Sequence, residues 1–227
     1  RGGTKEAIEK DGIGGETSNP AIFQKALAEG DAYDEDIKKY VDQGLDVGTI
    51  FRKLSIKDIQ DSADAFRPVY DRTKGADGFI SIEVSPYIAH ETQMSIDEAR
   101  SLWKEIDRPN LMVKVPGTKE GVPAIRQLIS DGININITLL FALDAYQAVA
   151  DAYIEGLEKR PEGDDLSRIS SVASFFLSRI DTMADDLINK KLQDDPQKSA
   201  ALAEIRGKIA IASARIAYQM YKKTFSG

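Results

Sequence analysis

The 227-residue chain has no cysteine and a single histidine. Without cysteine there are no disulfides, no thiol nucleophile and no thiolate metal ligands, which fits a cytoplasmic protein. One histidine, His90, is too few for a histidine metal cluster or a histidine-based triad, and it reads as a surface or loop residue. No apolar run approaches the roughly 20 residues that span a bilayer, and no signal peptide is read at the start, so no membrane partner is expected. Basic runs are absent and the net charge is -7, which argues against a nucleic-acid partner. Glycine patterns are equally uninformative: Gly117-Thr118-x-x-Gly121 lacks the lysine and spacing of a P-loop, and no dinucleotide fingerprint occurs. The acidic stretches Asp31–Asp36 and Asp194-Asp195 lack EF-hand spacing and read as helix starts and solvated loops. There is no internal repeat. The chain starts at Arg1 rather than methionine and stops just after a long helical pattern, so it is expected to be part of a larger polypeptide.

What is present is an alternation of strands and helices. Strand-like segments lie near Ile13–Ser18, Gly78–Ser85, Asn110–Val115, Ile133–Leu140 and Ile169–Ser178. Helical patterns cover Ser95–Ile106, where Ser95-x-x-Glu98 reads as a capping box, then Gly121–Ser130, Leu143–Leu157 and Ile180–Leu192. A last helix is expected from about Pro196 to Lys223, and Pro20–Thr73 reads as helical pieces broken near Gly30 and Gly44. Tyr146 and Tyr153 read as packing residues. Strand–helix repetition implies a parallel sheet, either open and doubly wound or closed as a (β/α) barrel.

The strands favour the barrel. Asn134, Asn136 and Thr138 share one face of their strand, opposite Ile133, Ile135, Ile137 and Leu139. Ser81, Glu83 and Ser85 likewise oppose Ile80, Ile82 and Val84, and Ser170, Ser174 and Ser178 share a side. A doubly wound strand is covered on both faces and reads as continuously apolar, whereas these carry a polar face suited to the active-site end of a barrel. A half-exposed antiparallel sheet alternates in the same way, but the helices between the strands count against it. Five strands are legible and a barrel needs eight, so residues 1–227 are expected to form one partial (β/α)8 (TIM) barrel domain.

Lys114 stands out. In Leu111-Met112-Val113-Lys114-Val115-Pro116 a lysine interrupts an apolar strand. A buried ammonium is costly, and a lysine that sheds its proton instead is a nucleophilic amine suited to Schiff-base chemistry. The plainer alternative is a lysine that snorkels to water or pairs with a carboxylate. Glu83, in an equally apolar strand, is a candidate proton shuttle beside Lys114, or simply its ion-pair partner. Asn19 before Pro20 has the look of an ordinary turn or cap. Arg179, near the end of the fifth strand, is placed either to hold a phosphate or to bridge to Asp181.

Five runs in this order resemble the transaldolases: Thr17-Ser18-Asn19-Pro20, Ile82-Glu83-Val84, Leu111-Met112-Val113-Lys114-Val115-Pro116, Asn134-Ile135-Asn136-Ile137-Thr138-Leu139-Leu140-Phe141 and Ser174-Phe175-Phe176-Leu177-Ser178-Arg179. The resemblance is closest to the longer bacterial members, some of which are fused to a glucose-6-phosphate isomerase. It implies a (β/α)8 barrel in which Lys114 forms a Schiff base with a ketose donor and Glu83 acts through a water as proton shuttle. Thr17, Asn19, Asn136, Thr138 and Ser174 would orient the dihydroxyacetone unit, and Arg179 would hold a substrate phosphate. The implied partners are phosphorylated sugars of the pentose phosphate pathway, with no metal or organic cofactor. The first strand, which in the family carries an acid/base aspartate, is expected before Arg1, and two further strands after Gly227. Two other readings remain open: a fructose-6-phosphate aldolase, although that group has glutamine where Glu83 stands and tyrosine near Phe176, and a non-catalytic barrel fragment or binding module.

Overall fold

A computed structural model describes residues 3–194 and 199–226. Its centre is a curled sheet of five parallel strands in the order in which they occur along the chain: β1 (Glu16–Thr17), β2 (Ile80–Glu83), β3 (Leu111–Pro116), β4 (Ile135–Leu140) and β5 (Ser171–Phe175). Strictly consecutive order has no topological switch point, so the sheet is half of a barrel rather than a doubly wound sheet. Helix α1 (Gly3–Asp11) precedes β1, and α2 (Pro20–Ala28), α3 (Asp34–Asp42) and α4 (Val47–Arg72) lie between β1 and β2. Helices α5 (Thr92–Ile106), α6 (Gly121–Ser130) and α7 (Leu143–Glu158) fill the next three crossovers. Beyond β5 come α8 (Ser178–Asp194), α9 (Ser199–Ile205) and α10 (Ile209–Phe225). Among the described residues no helix is long and apolar enough to cross a membrane.

The period-two alternation sets which face meets the helices. Ile80, Ile82 and Val84, then Leu111, Val113 and Val115, then Ile133, Ile135 and Ile137 are all buried in one core. Against them pack Ile96, Ala99, Leu102 and Ile106 of α5 and Ala124, Ile125, Leu128 and Ile129 of α6. Each of the larger aliphatic side chains removed from water contributes about 1.5–3 kcal/mol before conformational entropy is counted. The opposite face therefore carries the polar residues inward, as the sequence pattern implies.

Several local expectations are corrected. Helix α5 begins at Thr92, not Ser95, and the capping box does not form. Ser95 is buried and its Oγ donates to the Ile88 carbonyl at 3.1 Å, while Glu98 accepts from the Ser85 amide at 3.0 Å. Both side chains thus serve the turn after β2, which the Pro86–Ile88 3-10 turn folds back onto the helix. The first strand shrinks to two residues, and α1 carries no sequence signal because only Ala7 and Ile8 interrupt its polar surface. The fifth strand ends at Phe175, and Ser178 opens α8 instead of continuing the polar face. Gly207, at φ +64, splits the expected C-terminal helix into α9 and α10; its expected start near Pro196 lies outside the described residues. Finally, Leu139 does not keep the apolar alternation of β4. It sits at φ +58 in a register shift between Ile137 and Leu140 and is 36% exposed.

Gly78 leads into β2 at φ +88, and a Cβ there would lie 2.4 Å from the Tyr70 amide nitrogen of α4. Gly30, at φ +90, would meet nothing within 4 Å of such a Cβ. Gly30→Ala should therefore cost only the left-handed backbone penalty, about 1 kcal/mol. Gly78→Ala adds a backbone collision and should cost roughly 3 kcal/mol or more. Urea denaturation of the two variants checks this; equal losses would show that the α4–β2 contact has no such tightness.

Candidate active site

Parallel pairing lines residues up in rows across the inner face. Glu83 pairs in register with Lys114, and Lys114 with Asn136, so three consecutive strands contribute one row. Lys114 is 8% exposed, and its Nζ lies 3.3 Å from Glu83 Oε2. The same ammonium donates to the Ser18 carbonyl at 3.2 Å. Asn136 Nδ2 donates to Ser81 Oγ at 3.0 Å, and Ser174 Oγ donates to Asn136 Oδ1 at 2.8 Å. A hollow of about 540 Å³ opens towards the N-terminal ends of the strands, bounded by Gly15, Asp77, Phe79, Ser81, Asn136 and Ile169 among others; it reaches Asn136 but is not lined by Lys114 or Glu83.

Four of the eight sequence candidates are thus joined in two contacts: Glu83 with Lys114, and Asn136 with Ser174. Thr138 lies two residues beyond Asn136 on β4 and is 2% exposed. The other three sit apart. Thr17 is exposed on the edge strand β1, in register with Ser81. Asn19 caps α2, its Oδ1 accepting from the Ile22 amide at 2.9 Å, which is the capping role its place before Pro20 allowed. Arg179 is exposed in the first turn of α8, its guanidinium 5.0 Å from the centre of the Phe176 ring. Among the described residues no carboxylate pairs with it, and Asp181 instead accepts from the Ala210 amide at 3.0 Å.

Sequence reasoning missed two contributors. Ser81 stands two residues before Glu83 on the polar face of β2, and that spacing was the available signal. The Ser18 carbonyl had none, because a backbone acceptor leaves no trace in residue identity. Ser18 is held there by two bonds to the Ser81 carbonyl, from its amide at 3.0 Å and its Oγ at 2.7 Å.

Outside this row the remaining candidates have ordinary roles. His90 is exposed and pairs with Glu120 at 3.1 Å, and that bond holds the Glu120 carboxyl below the usual carboxylate range. Tyr146 and Tyr153 pack on the core, and burial pushes both phenols up. Among the described residues no group of three or more His, Asp or Glu side chains is arranged to hold a metal ion. Chemically, the inner face offers a primary amine touching a carboxylate, flanked by an amide and hydroxyls that donate and accept. Such a set can form an imine with a carbonyl compound and move the protons that this requires.

The family model described as transaldolase/fructose-6-phosphate aldolase matches residues 1–226. The chain belongs to this family. It is 52% identical over 225 residues to a protein named transaldolase from Trichodesmium erythraeum, covering 98% of this chain and 59% of that protein. It is 51% identical over 226 residues to transaldolase 2 of Nostoc punctiforme, covering 98% and 59%. With the transaldolase of a Parafrankia species the identity is 46% over 226 residues, covering 99% and 60%. The chain thus spans about three-fifths of the length of these family relatives.

The 3.3 Å pair has side chains only 10% and 15% exposed, so removing one partner strands a desolvated charge. Glu83→Gln or Lys114→Met alone should cost roughly 2–4 kcal/mol, and the double variant clearly less than the sum. A double-mutant cycle on unfolding free energy measures this coupling; additivity would mean that the two charges are hydrated independently.

Proposed function

We propose that the protein is a transaldolase, moving a dihydroxyacetone unit from sedoheptulose 7-phosphate to glyceraldehyde 3-phosphate and giving erythrose 4-phosphate and fructose 6-phosphate. The observation that carries this reading is the Lys114–Glu83 contact on the inner face of a half-barrel in a chain of this family. Residues 1–227 are read as part of a single barrel domain. The absence of cysteine and the phosphorylated metabolites of this reaction fit a cytoplasmic setting.

In this reading the Lys114 amine attacks the ketose C2 carbonyl to give a carbinolamine. Glu83, through a water, supplies the proton that lets the hydroxyl leave as water, and a protonated imine remains. Loss of the C4 hydroxyl proton to a base then breaks the C3–C4 bond. The aldehyde product departs, and the electron pair is held as an enamine on Lys114. Attack of the enamine on the acceptor aldehyde forms a new C–C bond, and hydrolysis of the imine frees the product and the lysine. We assign the base for the C4 proton to none of residues 1–227.

Asn136, Thr138 and Ser174 would orient the three-carbon unit, since the Asn136 amide keeps one N–H and one lone pair beyond its two serine bonds. Thr17 and Asn19 are assigned to the same unit from the edge of β1, and Arg179 to a substrate phosphate. The aldolase reading differs only in releasing the three-carbon unit to water. The glutamate at position 83 and the phenylalanine at position 176 favour the transferase.

Lys114→Ala should lower turnover on the order of a thousandfold or more while leaving the fold intact by circular dichroism. Borohydride reduction of the wild-type protein with fructose 6-phosphate should fix a three-carbon mass on Lys114. An unmodified lysine in the full-length protein sinks the Schiff-base assignment. Consumption of fructose 6-phosphate without any acceptor aldehyde would turn the reading to the aldolase.

A further inference from the structure

Strict alternation along β4 would send Leu140 to the inner face and Phe141 to the helices. The register shows the opposite. Ile137 pairs with Ala173 and Leu140 with Phe175, so three steps on β4 match two on β5. The extra residue is Leu139, which takes the left-handed conformation at φ +58. A non-glycine residue there is held at a cost, and bulges of this kind re-aim side chains beside functional sites. Here Leu140 turns into the helix-side core, fully buried, and continued alternation carries the next residue, Phe141, 40% exposed, towards the inner side. The Phe141 and Phe176 rings stack with centroids 4.9 Å apart and planes 28° from parallel. The Phe176 amide donates to the Leu140 carbonyl at 2.8 Å, which ties the two strand ends together. Phe176 in turn carries the Arg179 guanidinium 5.0 Å from its ring centre.

We infer that Phe141, aimed inward by the Leu139 bulge, is a positioning residue that fixes Phe176 and through it the Arg179 guanidinium, and so sets the preference for phosphorylated over unphosphorylated substrates. The inference rests on the reading of Arg179 as the phosphate-binding group and adds the part that holds it. An exposed arginine that pairs with no carboxylate among the described residues has many rotamers, and a fixed aromatic face reduces them. The stacked pair supplies that face only while Phe141 stays beside Phe176. Loss of a stacking partner should therefore weaken phosphate recognition without touching the amine chemistry, which lies four residues back along β5, at the level of Val172.

The test uses the full-length protein with glyceraldehyde 3-phosphate and with unphosphorylated glyceraldehyde as acceptors. Phe141→Leu keeps an apolar side chain but removes the ring; it should raise KM for the phosphorylated acceptor roughly fivefold, leave its kcat within about twofold, and leave KM for glyceraldehyde unchanged. Phe141→Tyr, which keeps the ring, should restore the wild-type KM. Inorganic phosphate should inhibit the wild type competitively, and Phe141→Leu should raise its inhibition constant by a similar factor. In an Arg179→Ala background the Phe141→Leu change should add nothing. An equal rise in KM for both acceptors, or no change for the phosphorylated one, overturns the positioning role. An Arg179→Ala variant whose phosphate inhibition matches the wild type would instead overturn the assignment of Arg179 itself, a separate outcome.

Discussion

In-register parallel pairing is the constraint on which the rest of this molecule depends. Side chains alternate between the two faces with a period of two, so a register shift of one residue would move every inward group to the helix side. With Ile82 beside Val113 and Val113 beside Ile135, the apolar positions of three strands form one buried layer. The same register then brings Glu83, Lys114 and Asn136 into one row on the opposite face. The hydrophobic core and the polar inner face are therefore one decision. Any sequence change that weakened the apolar alternation would misplace the amine and the carboxylate at the same time.

The inner row is not there for stability. Two desolvated charges recover by mutual attraction only part of what their burial costs, and a well-packed apolar pair in their place would serve the fold as well or better. What the pair provides is an amine in contact with a carboxylate, which in the proposed reaction is its proton carrier; the lysine is also tied to the Ser18 carbonyl. The Ser81–Asn136–Ser174 chain acts similarly on the neutral groups. It occupies one donor and one acceptor of the amide and leaves the others in defined directions. Buried polar groups that are satisfied in this way have few alternative arrangements, so their remaining donors and acceptors are already oriented.

Much of this was legible in the sequence because β2, β3 and the first part of β4 keep their alternation. Strands β2 and β3 and helix α6 follow from alternation and helical spacing alone, and so does the placement of Glu83, Lys114, Asn136 and Ser174 on one face. Departures occur where tertiary contacts override local signals. Ser95 and Glu98 have the spacing of a capping box, yet the turn after β2 claims both side chains. The geometry of Asn19 and Arg179 is decided by a helix cap and by the first turn of α8, which their motifs do not report. The Ser18 carbonyl was beyond reach in principle, since residue types do not report where a backbone oxygen points.

The bulge at Leu139 shows why local irregularity belongs at the C-terminal end of these strands rather than lower in the sheet. Below it, at Asn136 and Ile137, any slip would break the row that holds the amine. At Leu139 the pairing with β5 is nearly finished, and one extra residue changes the facing of Leu140 and Phe141 alone. The cost of a left-handed leucine, about 1–2 kcal/mol, is borne at a point where it re-aims one aromatic ring and leaves the ladder beneath unchanged. In the proposed reaction, groups for bond making and groups for recognition are thereby separated along the strand axis. The lower row is fixed by regular register, and the mouth is shaped by a departure from it. On the proposed roles, such a division would let substrate preference vary through the strand ends while Lys114 and Glu83 keep their contact.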